Sequence, residues 1–456
     1  MRRPLESINP YTGERMEALE QMAPDAVEAA IQRADAATSH WAERALGERC
    51  DLLRAVAKRL REGKAALARV ITSEMGKLIG EAEAEVEKCA LVCDYYADHA
   101  EALLADRLIA SDASRSLVAY QPLGVLLAIM PWNFPFWQVF RCAAPALAAG
   151  NTLLLKHASN VPRCALSIEQ LFREAGAPQG VFQSLLIDAQ GAEQVVADGR
   201  VRGVSLTGSE TAGRRVASIA GQHLKKTVLE LGGSDAFVVL EDADLELAVA
   251  TAVKARYMNA GQSCIAAKRF VLVEAIADAF QEAFRAAIEA LVPGDPLDPA
   301  TSLAPLARQD LRETLHEQVT ASVAVGARVA TGGHPLAGSG WGYAATLLEG
   351  VGPGMPAYAD ELFGPVAALI RARDANAALS IANDSRLGLG GSVWTRDAAR
   401  GEGFARRMSC GCAFVNGQVK SDPRLPFGGI KDSGYGRELG TPGIQEFVNA
   451  KTLWIG

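Results

Sequence analysis

What most constrains this chain is an alternation that sets in after about residue 120: short apolar runs, each followed by a stretch with helical spacing. GVLLAIMP (124–131) leads into a helical pattern from about 136 to 149, and NTLLLKH (151–157) into one from about 163 to 175. VRGVSLTG (201–208) precedes a helix from about 210, and KKTVLELGG (225–233) closes the series. A strand covered on both faces reads as an unbroken apolar run, and strands alternating with helices build a parallel, doubly wound sheet. A second set follows with AFVVL (236–240), RFVLV (269–273), PVAALI (365–370), GGSVW (390–394) and CAFVNG (412–417). Two α/β domains in succession are therefore expected, in keeping with 456 residues, too many for one simple core.

The flanking segments read differently. Residues 25–104 keep three- and four-residue apolar spacing, as in DLLRAVAKRLREGKAALARVI (51–71), and predict helices. RLIASDASRSLVAYQPLG (107–124) holds two short alternating runs around a turn, a hairpin signal, and FVNAKTLWI (447–455) is strand-like.

Composition narrows the partners. A net charge of −7, from 46 basic and 53 acidic residues without long blocks, offers no footprint for nucleic acid or anionic lipid. No apolar run approaches the ~20 residues that span a bilayer, and the opening MRRPLESINP lacks the apolar core of a signal peptide. The eight cysteines (50, 89, 93, 142, 164, 264, 410 and 412) form no CxxC pair, which argues for a reducing, cytoplasmic setting. Six scattered histidines suggest no metal site.

Four stretches could carry chemistry. In VSLTGSETAGRRV (204–216) a strand runs into Gly208 and Ser209 at a helix start, where backbone amides and the helix dipole can hold a phosphate. It is not GxGxxG, and a plain strand-to-helix turn explains it equally well. PWNFP (131–135) follows an apolar strand, so Asn133 is either an Asx-turn residue or a donor to a developing oxyanion. In LELGGSD (229–235) Glu230 is a strand-end residue exposed at a turn, or a buried carboxylate tuned toward a general base. In MNAGQSCIAAKRF (258–270), Cys264 sits among small polar residues rather than the apolar company of a structural cysteine. Nucleophilic use would need its thiolate and a nearby base or helix end. All four fall at strand–loop junctions, where α/β sheets place their sites.

Together with LeuLysHis (155–157), ELFGPV (361–366) and PFGGIKDSGYGRELG (426–440), these motifs resemble the aldehyde dehydrogenase superfamily over essentially the whole chain, most closely the bacterial succinate-semialdehyde dehydrogenases. The resemblance implies an α/β fold: a Rossmann-like cofactor domain over 1–104 and 122–229, and an α/β catalytic domain over 230–425. A β oligomerisation arm would be formed by 105–121 and 430–456, making a homodimer or homotetramer in which the arm strand pairs with a neighbouring subunit. It implies NAD(P)+-dependent oxidation of a small-molecule aldehyde, with Cys264 as nucleophile, Asn133 and the Cys264 N–H as oxyanion donors, and Glu230 as the base that activates water. Each such donor is typically worth about 3 kcal/mol. Trp132, Lys156, Gly208, Ser209, Glu361 and Phe363 would bind the cofactor.

Two positions depart from the family pattern. Ser159 stands where NAD-selective members often carry a ribose-chelating glutamate; without that carboxylate NADP is tolerated, and the expectation leans to NADP over NAD. Arg141 and Ser421 match substrate-carboxylate ligands, but Met258 stands where a second arginine is usual. The substrate expectation is succinate semialdehyde, with glutarate semialdehyde or a medium-chain aldehyde as alternatives. A cofactor-independent cysteine hydrolase is the alternative of a different class, and it would leave Lys156 and Glu361 without purpose.

Overall fold

The computed structural model describes residues 4–456, so Arg2 and Arg3 of the opening segment lie outside it. The first series of apolar runs forms a six-stranded sheet in the order Gly434–Tyr435, Lys226–Glu230, Val201–Thr207, Val125–Met130, Thr152–His157, Phe182–Ser184. All neighbours are parallel except the antiparallel first pair. One face packs on the helices Leu46–Glu62, Ile79–Leu103, Trp137–Ala148 and Pro162–Glu174, the other on Pro24–Glu43, Ala189–Ala197 and Glu210–Gln222. Cover on both sides explains why Val125–Met130 carries no alternating polar residue.

The second series forms a seven-stranded sheet: Arg328–Thr331, Thr346–Glu349, Val366–Ala372, Ala267–Val273, Asp235–Val239, Gly390–Trp394, Cys412–Val415. It is parallel apart from the outermost pair, Arg328–Thr331 with Thr346–Glu349. Helices Leu245–Tyr257, Glu274–Glu289 and Gln309–Ala324 cover one face, and Ala375–Asn383 and Ala398–Ala405 the other. Among the described residues no helix is long and apolar enough to cross a membrane.

A separate three-stranded antiparallel sheet joins Arg107–Ile109, Arg115–Pro122 and Val448–Ile455. The last strand, expected to pair with a neighbouring subunit, lies within the chain beside its own hairpin. Val448–Ile455 runs along its own chain's Arg115–Pro122 from Val448 opposite Pro122 to Ile455 opposite Arg115. The hairpin projects far enough to offer it a full-length edge. The segment expected to belong wholly to this arm is also divided: Gly434–Tyr435 extends the first sheet, and helix Gly440–Gln445 lies against its helical layer.

Candidate active site

Three loops that matter leave three neighbouring strands of the first sheet at the same end. Val201–Thr207 runs into Gly208 and Ser209, Val125–Met130 into PWNFP, and Thr152–His157 into the loop bearing Ser159. Parallel strands deliver their following loops to one edge, so residues 133, 156, 159, 208 and 209 share that edge by topology.

Each loop is fixed by local chemistry. Ser209 caps helix Glu210–Gln222 by accepting from the Ala212 N–H at 3.3 Å. The N–H groups of Glu210 and Thr211 have no acceptor among the described residues, which leaves an anion-binding helix start. PWNFP is gripped by His157, whose Nε2 lies 2.7 Å from the Pro135 carbonyl; burial pulls that imidazole down to about 4, so it is neutral. The Phe136 and Trp137 N–H groups donate to the buried Glu85 carboxylate at 2.9 and 3.0 Å, and Glu85 pairs with the equally buried Lys77. Lys156, half-buried at its strand end, has a lowered pKa through desolvation, and Ser159 is exposed.

Cys264 comes from the second half of the chain and meets these loops across a cavity of about 220 Å³. Trp132, Asn133, Gly208, Ser209, Glu361 and Phe363 line the same cavity, so the expected residues except Lys156, Ser159, Arg141, Ser421 and Glu230 share one wall. The Trp132 and Phe363 rings meet edge to face at 5.8 Å. Asn133 is buried and its Nδ2 donates to the Gln262 carbonyl at 3.0 Å, leaving its second amide hydrogen uncommitted. The Cys264 N–H has no acceptor among the described residues.

The turn before Cys264 holds three consecutive left-handed residues, Asn259 (φ 55°), Ala260 (φ 51°) and Gly261 (φ 72°). Such backbone persists only when its surroundings over-determine it. Glu81 accepts from the Asn259 N–H, and the Asn259 side chain donates to Asn133 O at 2.8 Å. Arg256, fully buried, donates to Gly261 O at 2.6 Å and Gly364 O at 2.8 Å. Lys268 donates to the carbonyls of Ser263 and Cys264, both at 2.7 Å, and pairs with Glu361 at 3.1 Å. The glycine pair after Glu230 makes room: a Cβ at Gly232 would collide with the Glu361 carboxylate, and one at Gly233 with the Cys264 carbonyl. Of these holding groups His157, Asn259 and Lys268 sit inside the quoted motifs, whereas Lys77, Glu81, Glu85 and Arg256 carried no sequence signal.

Glu230 is buried, and neither of its carboxylate oxygens has a hydrogen-bond partner among the described residues. Burial pushes its pKa well above the usual carboxylate range, with Arg141 pulling the other way. Burial likewise pushes the Cys264 thiol up to about 12, opposed by the positive charges of Lys268 and Arg141. Arg141 is neither a surface arginine nor uncommitted. It is buried, ion-paired with Glu438, donates to Thr207 Oγ1 at 3.1 Å and lies over the Phe427 ring. Ser421 is buried and accepts from Lys88 Nζ at 2.8 Å. Met258 lines a second, larger cavity of about 460 Å³ together with Phe134, Trp137 and Lys88.

The fit to a dinucleotide rests on two N–H groups behind Ser209 and a Lys156 ammonium, none with a hydrogen-bond partner among the described residues, and on a cavity lined by that helix start and by Cys264.

The chain matches the aldehyde dehydrogenase family over residues 1–453. It is 49% identical over 448 residues to succinate semialdehyde dehydrogenase [NAD(P)+] Sad of Escherichia coli (strain K12), covering 98% of this chain and 97% of that one. It is 48% identical over 457 residues to succinate-semialdehyde dehydrogenase [NADP(+)] 1 of Mycobacterium ulcerans, covering 99% and 100%. The crystal structure of succinic semialdehyde dehydrogenase from Streptococcus pyogenes in complex with NADP+ superposes with a TM-score of 0.97 at 39% identity, covering 99% of both chains. Full-length matches in sequence and in backbone agree with the convergence of Asn133, Gly208 and Cys264 on one cavity, and the chain belongs to the aldehyde dehydrogenase family.

Proposed function

We propose that this protein oxidises succinate semialdehyde to succinate with NADP+ or NAD+, using Cys264 as nucleophile and Glu230 as base. The observation that carries the reading is the single cavity shared by Cys264, Asn133 and the Gly208–Ser209 helix start. Relatives at 48–49% identity bear the names of succinate-semialdehyde dehydrogenases that take NADP+ or either cofactor.

The positive charges of Lys268 and Arg141 favour the thiolate of the half-buried Cys264. The thiolate adds to the aldehyde carbon, and the resulting oxyanion takes donors from the second Asn133 amide hydrogen and the Cys264 N–H. The oxidised nicotinamide supplies the acceptor for the hydride that leaves this carbon. A thioester on Cys264 is left. Glu230, in its carboxylate form, removes a proton from water, which attacks the thioester, frees succinate and restores the thiol. The Glu210 and Thr211 N–H groups would take the pyrophosphate, Lys156 the adenosine ribose, and Glu361 and Phe363 the nicotinamide ribose. An exposed Ser159 puts no negative charge against a 2′-phosphate, which supports use of NADP+.

We also assign the enzyme to the cytoplasm as a homo-oligomer of at least two subunits. The three-stranded sheet supports the oligomer, since it leaves Leu108, Trp454 and Ile455 exposed on its outer strands.

The test is initial-rate nicotinamide reduction with succinate semialdehyde, glutarate semialdehyde and butanal, each with NAD+ and NADP+. A clear advantage in kcat/KM for succinate semialdehyde is expected. Equal values for butanal would overturn the substrate, and turnover without either cofactor would overturn the reaction.

A further inference from the structure

A parallel sheet covered on both faces has no ordinary place for a lysine, yet Lys268 is the second residue of the strand Ala267–Val273 and is 1% exposed. A buried ammonium persists only when its charge and its donors are met. Here all three donors have acceptors. They reach the Ser263 and Cys264 carbonyls, both at 2.7 Å, and Glu361 Oε1 at 3.1 Å. That Glu361 oxygen is itself fixed by the Gly233 N–H at 3.1 Å. Asp235 also feels the Lys268 charge, but its Oδ1 is spent on the Gly390 N–H at 3.0 Å.

Two of these bonds bear on the nucleophile. The Ser263 carbonyl and the Cys264 N–H are the two ends of one planar, trans peptide unit, so whatever holds the oxygen sets the direction of the N–H. The Ala266 N–H reaches the same oxygen at 3.1 Å, but the Lys268 bond is shorter and carries a full charge. An ammonium on the carbonyl also polarises the peptide and strengthens its N–H as a donor. The Cys264 carbonyl is held by the same ammonium, so the peptide units on both sides of the nucleophile share one anchor. That anchor stands on a strand of the second sheet and is tied through Glu361 to the turn after Glu230.

We propose that Lys268 is the positioning residue of the oxyanion site: its bond to the Ser263 carbonyl aims the Cys264 N–H at the aldehyde oxygen as the sulfur adds. This deepens the dehydrogenase reading above and rests on it. The charges acting on the thiol are Lys268 and Arg141, which favour the thiolate, and Glu361 and Glu230, which oppose it. Lost activity alone would therefore not separate aim from charge. Alkylation separates them, because iodoacetamide needs the Cys264 thiolate but forms no oxyanion, whereas aldehyde oxidation needs both.

The experiment compares two rates at one pH. One is alkylation of Cys264 in the enzyme without cofactor, read on its peptide by mass spectrometry. The other is the first-turnover rate of NADPH formation from succinate semialdehyde or butanal at saturating NADP+. In Lys268→Met, alkylation should slow by about tenfold, as for loss of one neighbouring charge. First turnover should slow by about a thousandfold, that tenfold multiplied by about a hundredfold for a misaimed donor. Both aldehydes should lose alike, because the effect lies at the reacting carbon. Lys268→Gln, one atom shorter and uncharged, is the second neutral variant should Lys268→Met fail to fold, and its turnover should again fall further than its alkylation. Lys268→Arg keeps the charge and should keep the wild-type alkylation rate. Equal falls in alkylation and turnover in either neutral variant overturn the positioning role, and so does an unchanged turnover. A wild type that forms no NADPH or NADH from either aldehyde overturns instead the dehydrogenase reading on which the role rests.

Discussion

At the residue scale, Cys264 and Glu230 both have pKa values displaced upward by burial. Glu230 is buried, and burial favours its neutral form in the folded protein. A base held protonated must ionise before it can activate water. Deacylation should therefore rise with pH well above the ordinary carboxylate range, because the folded-state pKa is raised. Glu230→Gln should remove that limb and lower kcat by about 10²–10⁴-fold. Acylation would survive, so rapid-mixing measurements should show a burst of NADPH followed by a slow steady state. Loss of the burst together with the steady state would place Glu230 in the first half-reaction instead. The sequence left open whether Glu230 is exposed at a turn or buried; the structure buries it, and a Cβ at Gly428 would come within 2.8 Å of its Oε1.

At the element scale, the site is held by acids, two buried and one half-buried, on two helices whose sequence reads as ordinary amphipathic surface. Glu74 in Lys64–Met75 accepts from the N–H groups of Arg163 and Cys164, at the start of helix Pro162–Glu174. Glu81 and Glu85 in Ile79–Leu103 do the same for the Asn259 turn and for helix Trp137–Ala148. Each places a negative charge at a set of orphan N–H donors. Glu85 also neutralises Lys77, and both side chains are buried. Glu85→Gln should thus destabilise the fold by roughly 3–5 kcal/mol, the cost of an uncompensated buried charge. Thermal melting would register it, and Lys77→Met combined with Glu85→Gln should recover much of the loss. A double variant as unstable as the single one would mean that helix capping, not charge, is what Glu85 supplies. Strand and helix identities in this region were readable from periodicity. Which glutamate turns inward was not, because all of them share the same spacing and only the partner helix distinguishes them.

At the scale of the whole molecule, the arm is the part most dependent on company. Seven of the eight residues in Val448–Ile455 are exposed, and the strand has its own chain on one side only. An unpaired edge carrying Leu453, Trp454 and Ile455 is a surface made for a second strand or sheet face. Trp454→Asp should reduce the molecular mass seen by light scattering to that of a smaller assembly. An unchanged mass would move the subunit interface elsewhere.

The sequence by itself determined the strands and helices, because burial on both faces of a parallel sheet demands unbroken apolar runs and leaves a visible pattern. It also determined the family, through short motifs at fixed order. Tertiary structure alone decided which charges are satisfied. Arg141 and Lys88 look alike as basic residues on helices, yet one is paired with Glu438, about three hundred positions away in the chain, and the other faces a cavity with no ion-pair partner among the described residues. Electrostatic energy depends on distance and desolvation in space, and neither is written in the spacing of residues along a chain.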